Sequence, residues 1–160
     1  MTLGETLTAI MRKTRNFHEV GKLEQEFSIV NGSIVLPSPF MHGQWVAIEG
    51  SVLNNGVYRL DGASGEYKLT DDKEIILTDE TFRGIVWGLA VPRDLLSLAK
   101  RVQAFNIKEG ERSSVTSETV VGLHSWAKGT KNDGSPITWE TVFADDLVQF
   151  NNRMHRRVGV

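Results

Sequence analysis

The stretch EFSIVNGSIVLP, residues 26–37, constrains the fold more than any other part of the sequence. Asn31-Gly32 supplies the two positive-φ positions of a type I′ turn, the connection whose twist matches that of the strands it joins. With these two residues as the loop, Ile29 faces Ile34 and Phe27 faces Leu36. All four then share one face of the pleat, while Ser28 and Ser33 lie on the other. Turn chemistry and hydrophobic alternation thus predict the same β-hairpin.

The same logic repeats downstream. In QWVAIEGSVLNNGVYRL, residues 44–60, Val46 and Ile48 alternate against Trp45 and Ala47, Gly50 is a bulge position, and Asn54-Asn55-Gly56 makes a second turn. EYKLTDDKEIIL, residues 66–77, adds two short strands around a polar turn at Asp71-Asp72-Lys73. Residues 26–77 are therefore expected to form a small antiparallel sheet or half-barrel.

Helical periodicity flanks this module. Thr2 and Glu5 stand at capping-box spacing, Leu3, Leu7, Ile10 and Met11 fall on one face, and Lys13 and Arg15 complement the dipole, predicting a helix over roughly 3–15. Pro92 suits a first helical position, and Leu95, Leu98, Ala99, Val102 and Phe105 form an apolar stripe over 92–107. A last helix starts near Thr138 and carries Trp139, Val142, Phe143, Leu147, Phe150 and Met154, with acids early and arginines late. The expectation is an α+β single domain, residues 1–160. It is a small helical bundle of about three helices (helical parts 1–20 and 79–160) with an inserted antiparallel β-sheet or half-barrel over about 26–77.

Composition narrows the function. The 160 residues bury about 70% of their unfolded surface in one domain. A net charge of −2 argues against charge-driven DNA binding, since the one basic concentration is RMHRR at 153–157. The chain has no cysteine, hence no disulfide or thiolate zinc site. No apolar run approaches membrane-spanning length, and the start lacks the order of a signal peptide, so a cytoplasmic site of synthesis is expected.

The motifs of chemistry are not found. Gly62-Ala63-Ser64-Gly65 is a turn rather than a nucleophile elbow, and KNDGS at 131–135 lacks the alternating carboxylates and terminal Glu of a calcium loop. His18, His42, His124 and His155 show no ligand spacing, so no metal site is expected. Asp71-Asp72 is better explained by a turn and Asp145-Asp146 by a helix dipole than by acid–base catalysis. No catalytic residue and no cofactor is assigned.

One strip stands apart. SVTSETVVGLHSWA, within residues 113–127, is rich in β-branched residues and bounded by the polar loops KEGERSS and KGTKNDGSP. Read as an extended segment, it pairs either with another chain through its free edge or with the protein's own β-module, and the two readings are compatible.

The order of these pieces carries a resemblance. GQWVAIEGSVLNNGVYRL is followed by ILTDETFRGIVWGLAVPRDLLSLAKRV, then the strip SVTSETVVGLHSWAKG, then WETVFADDLVQFNNRMHRRV. This looks like the small head–tail connector proteins of tailed phages and prophages of Gram-positive bacteria. The matching positions are Ser117, Glu118, Gly122, Ser125, Trp126, Trp139, Val142, Phe143, Leu147 and the terminal arginines. The chain departs from the smaller helical connectors in carrying the β-insert.

The resemblance implies a homo-oligomeric ring beneath the portal protein, in the neck of a virion, made in the bacterial host cytoplasm. The ring links capsid to tail and receives a downstream neck or tail-completion protein, with DNA passing through only as cargo and no membrane partner. It implies interface roles for Ser117, Glu118, Val120, Gly122, His124 and Trp126 in the strip, and for Arg153, Arg156 and Arg157 at the basic end. Two further readings stay open: another neck or tail-completion protein, and a small-molecule or peptide-binding module using a groove lined by Trp45, Tyr58 or Trp87.

Overall fold

In the computed structural model, which describes residues 1–116 and 137–151, the chain reverses at Asn31-Gly32 as the sequence predicts. Both residues have positive φ, 51° and 76°, and Val30 and Ser33 exchange two backbone hydrogen bonds of 3.0 Å across the turn. The two arms then part. Strand β1 (Glu19–Ile29) pairs with β6 (Glu80–Leu89), and β2 (Ser33–Val35) pairs with β5 (Glu66–Thr70). With β3 (Trp45–Glu49) and β4 (Gly56–Ala63), the six antiparallel strands run in the order β1-β6-β3-β4-β5-β2. The tight turn ties the two outermost strands together through the single bridge Val30–Ser33, and the sheet is a half-barrel.

The expected pairing of Ile29 with Ile34 and of Phe27 with Leu36 is thus replaced: Ile29 stands opposite Glu80, Phe27 opposite Phe82, and Ile34 opposite Tyr67. The shared face survives, because all four side chains point into the half-barrel and are buried there. They meet Val46, Ile48, Leu60, Leu69 and Val86 in one inner core. The alternation of β3 comes out as expected, with Trp45 and Ala47 facing the opposite way into a second, outer core.

That outer core lies under the helices. Helix α1 (Leu3–Thr14) opens on the predicted capping box: Thr2 Oγ1 accepts from the Glu5 amide at 3.1 Å, and the Thr2 amide donates to Glu5 Oε2 at 2.7 Å. Its apolar stripe, Leu3, Leu7, Ile10 and Met11, is buried against α2 and the outer face of the sheet. Helix α2 (Arg93–Thr116) buries Leu95, Leu98, Ala99 and Val102 on the same layer.

The architecture corrects the expectation of a helical bundle with an inserted sheet. The sheet is the body, and among the described residues one long helix with three shorter ones lies against it. Two segments account for the difference. Residues 80–89, expected within the helical part 79–160, form β6 at the middle of the sheet, between β1 and β3. Phe82 and Val86 point into the inner core, and Gly84 lets β3 pass so close that a Cβ there would meet the Glu49 carbonyl oxygen at 2.2 Å. Strand β1 also begins seven residues before the expected Glu26, where its exposed faces carry no alternation to read. Conversely, the second strand expected after Asp71-Asp72-Lys73 is an irregular segment.

The last helix differs too. Rather than one rod from Thr138, there are α3 (Trp139–Val142) and α4 (Ala144–Val148), broken at Phe143. The break lets Phe143 enter the outer core, edge-on to Phe105 with ring centroids 6.0 Å apart, ahead of Leu147 and Phe150. Met154 lies outside the described residues.

Candidate functional site

Antiparallel connectivity places the β1–β2, β3–β4 and β5–β6 connections at one end of the half-barrel, here termed the turn end. Two of them are held by side chains distant in sequence. The β3–β4 loop, residues 50–55, is built on the carboxylate of Glu80. That carboxylate accepts from the Val52 amide at 2.8 Å, from the Asn54 side-chain amide at 3.0 Å and from the Ser51 hydroxyl. Asn54 also exchanges hydrogen bonds with Thr78, of 2.8 and 3.0 Å, tying this loop to the β5–β6 segment. The Ser51 hydroxyl is the main reason the Glu80 carboxyl sits below its ordinary range. The Val52, Leu53 and Asn54 donors add to it against a partial loss of hydration.

A loop pinned this way spends its polar groups inward and leaves its apolar tip to solvent. Val52 is 88% and Leu53 58% exposed, and Ile76, on the segment that Asn54 anchors, is 95% exposed. Isolated exposed aliphatics are ordinary, but rigid apolar tips gathered at one end of a sheet mark an interaction surface.

The β5–β6 segment also holds the start of α1. The first amides of a helix have no intrahelical acceptor. Here Asp72 Oδ1 accepts from the Leu3 amide at 2.7 Å, and Asp71 accepts from the Gly4 amide at 3.1 and 3.2 Å. Gln103 of α2 closes the arrangement, donating to Asp72 Oδ2 at 2.8 Å and to the Met1 carbonyl at 3.0 Å. Burial, with the neighbouring Asp72 carboxyl, pushes Asp71 above the ordinary carboxylate value. For Asp72 burial acts upward but is outweighed by the Leu3 amide and Gln103, and its carboxyl sits low. The acidic pair is therefore a cap supplied from 67–69 residues away.

Past Gln103, α2 continues to Thr116, with Phe105 still packed against the outer core. Residues 104–116 extend the helix by about 20 Å at 1.5 Å per residue, and none from Gln103 to Gly110 is buried.

A second feature is an open groove of about 1030 Å³ on the outer face of the sheet, beside α1. Its floor includes Ala47, Val57 and Trp87, and its apolar rims include Phe17 and Ile76. Among the described residues Glu5, Glu19, Glu49 and Asp71 line it, with Arg12 the one cationic side chain and the Met1 terminus also in the lining. Trp87 is half-buried, donates its indole N–H to Glu49 Oε2 at 2.8 Å, and has the Lys22 ammonium 5.6 Å from its ring centroid. Among the described residues the one Arg or Lys ion pair is Arg101–Asp146, and no groove carboxylate is paired with a cation.

Of the residues singled out from the sequence, Ser117, Glu118, Val120, Gly122, His124, Trp126, Arg153, Arg156 and Arg157 lie outside the described residues. The first four residues of the strip 113–127 are helical, as the end of α2, rather than extended. Of the three aromatics expected to line a groove, Trp87 does so. Tyr58 reaches the groove from the inner core with its hydroxyl on the Asn54 carbonyl at 2.9 Å, and Trp45 is buried in the outer core. His18 and His42 occupy separate loops, and His124 and His155 lie outside the described residues. Among the described residues no three of His, Asp and Glu converge as metal ligands.

Sequence reasoning missed Glu80 and the groove carboxylates. The turn at Asn54-Asn55-Gly56 was legible, but nothing in it points to an acid 26 residues on from Asn54. Comparison of the chain with protein-family models, with curated proteins and with solved structures found no match.

Proposed function

We propose that this chain is a structural assembly subunit of the head–tail connector kind, forming a ring under a phage or prophage portal and linking capsid to tail. The reading rests on the resemblance of its ordered segments to that group of proteins. The observation that carries it here is the turn end: loops held by Glu80 and Asn54 that present the exposed Val52, Leu53 and Ile76. Preorganisation lowers the ordering cost of docking, which is what a subunit that assembles on a template requires. A ring joins one face of each subunit to a different face of the next, and the apolar turn end and the acidic outer groove are two unlike faces. The partners are other copies of the chain, the portal protein and a downstream neck or tail-completion protein, with DNA as cargo.

The test is light scattering on a sizing column with and without the portal protein encoded nearby, followed by negative-stain imaging. Rings, or a stack on the portal, support the reading. A monomer that ignores the portal overturns it. A complex of different stoichiometry or partner supports the neighbouring reading, another neck or tail-completion protein.

One observation favours a peptide-binding module as the second reading, namely the acidic outer groove with Trp87 on its floor. Quenching of tryptophan fluorescence by added peptides, in a chain that stays monomeric with the portal, would favour it.

A further inference from the structure

We propose that strand β1 is a two-fold contact, its open edge pairing antiparallel with the same edge of a second copy. Leu23 then stands opposite the partner's Leu23, and Lys22 opposite the partner's Glu24. The inference is independent of the ring reading. A two-fold contact joins identical patches, whereas a ring joins unlike faces, and the first half of β1 lies away from the turn end.

Three observations lead to it. The first is an uncovered edge. Strand β1 ends the strand order, so β6 takes one of its edges, and β2 reaches the other only through the bridge Val30–Ser33. From Glu19 to Glu26, Leu23 alone is even partly buried, and among the described residues no other strand pairs with this stretch. Such an edge presents a row of backbone donors and acceptors to any chain that matches them.

The second is which residues supply that row. The N–H and C=O groups of alternate residues point to opposite edges of an antiparallel strand. Val30 commits both of its groups to Ser33, away from β6, and the register with β6 is unbroken from Ile29 back to Gly21. Lys22, Glu24 and Glu26 therefore aim their backbone groups outward, and the odd-numbered residues serve β6. Beyond the bulge, the Ala90 amide donates to the His18 carbonyl at 2.8 Å, which keeps even-numbered residues of β6 facing β1 as this phase requires. A second β1 must then pair even with even.

The third is charge, which selects one register. Centring the pair on Lys22, Glu24 or Glu26 sets two like charges directly opposite, and centring it on Gln25 sets Glu24 against Glu26. Centring it on Leu23 instead places each Lys22 opposite a Glu24, with the two leucines meeting between them. Glu24 makes no ion pair or side-chain hydrogen bond among the described residues. Lys22 lies on the same face of the strand, its ammonium 5.6 Å from the Trp87 ring centroid. An edge lysine ordinarily discourages pairing, and in this register the partner's Glu24 answers it.

The experiment is sedimentation equilibrium with amide hydrogen exchange on the full chain, from micromolar to near-millimolar concentration and without any portal protein. The wild type should dimerise as concentration rises, with the amides of Lys22, Glu24 and Glu26 gaining protection together. Glu24→Pro is the blocking variant. The Glu24 N–H faces away from β6, so an edge proline spares the ladder and should leave a folded monomer. Lys22→Glu should weaken the dimer about tenfold. Lys22→Glu combined with Glu24→Lys should restore it, because each charge again faces its opposite. A monomer at every concentration overturns the proposal, as does a dimer or larger species that both Glu24→Pro and Lys22→Glu leave intact. Edge amides already protected in a dilute monomer also overturn it, since the chain then covers its own edge. A charge swap that fails to restore the dimer overturns the register.

Discussion

Gly4 sits where a helix touches the backbone of a strand. A Cβ at this position would lie 2.1 Å from the Val57 carbonyl oxygen and 2.6 Å from Asp71 Oδ2. In an open helix, alanine for glycine gains about 1 kcal/mol. Here the sign reverses, because β4 must retreat or α1 must lift. Gly4→Ala is expected to cost about 2 kcal/mol or more in urea unfolding, and a stabilised variant would show that the contact is soft. The acidic cap next to it gives a second prediction. Asp72→Ala removes the acceptor of the Leu3 amide and should cost about 1 kcal/mol at neutral pH. Since the Asp72 carboxyl is held below its ordinary value of about 4, its contribution is present above that value and fades as pH falls through the depressed one. The difference between wild type and variant should therefore shrink in acid. Asp71, raised by burial, acts in the opposite sense: the fold gains as it takes up its proton, so Asp71→Asn should lose stability in acid more steeply than wild type. Unfolding curves at several pH values below about 5 check both signs.

At the scale of elements, the turn-end loop shows what one carboxylate organises. Glu80 belongs to the first position of β6 yet orders residues 51–54 of another connection. Glu80→Gln replaces an acceptor-only group with one that accepts at a single oxygen. The amides of Val52 and Leu53 are expected to exchange with deuterium about tenfold faster, with protection elsewhere in the sheet unchanged. The wild-type loop should lose the same protection as pH falls through the depressed Glu80 value, because the stabilised form is the ionised one. Unchanged protection factors would mean that Ser51 and Asn54 hold the loop without the acid. The sequence shows such elements unevenly, for physical reasons. Local chemistry was legible: the Thr2–Glu5 box, the Asn31-Gly32 turn and the α1 stripe depend on neighbours within a few positions. Strand β6 was not, because it lies between two strands with a core on each side, and Gly84 and Gly88 interrupt its alternation. The hairpin was legible as a turn but not as a topology. Its local signal fixes the reversal, while the partners of β1 and β2 are decided by the inner core and by strands far along the chain. For the same reason the turn-end surface and the groove were hidden, since each joins residues from three or more elements.

At the scale of the whole molecule, the sheet is covered on both faces, one side by its own curl and the other by the helices. Among the described residues, the turn end and the outer groove are surfaces that this packing leaves uncovered. Val52 and Leu53 contribute nothing to either core, so changing them separates assembly from folding. A variant carrying Val52→Asp and Leu53→Asp should unfold with wild-type cooperativity and within about 0.5 kcal/mol of wild type. If the turn end is the docking surface, placing two charges at its centre should weaken association by about 2 kcal/mol or more, roughly thirtyfold in dissociation constant. Met41→Asp supplies the control: Met41 is also exposed, but it lies in the β2–β3 connection, at the opposite end of the sheet. Sizing with light scattering, with the portal present, reads all three proteins side by side. Loss of the complex in the turn-end variant alone would place the interface there. Equal loss in Met41→Asp would mean that both ends of the half-barrel are engaged, as a subunit bridging two neighbours requires. Normal assembly of the turn-end variant would exclude this end, and interface mapping would move to the α2 extension beyond Gln103.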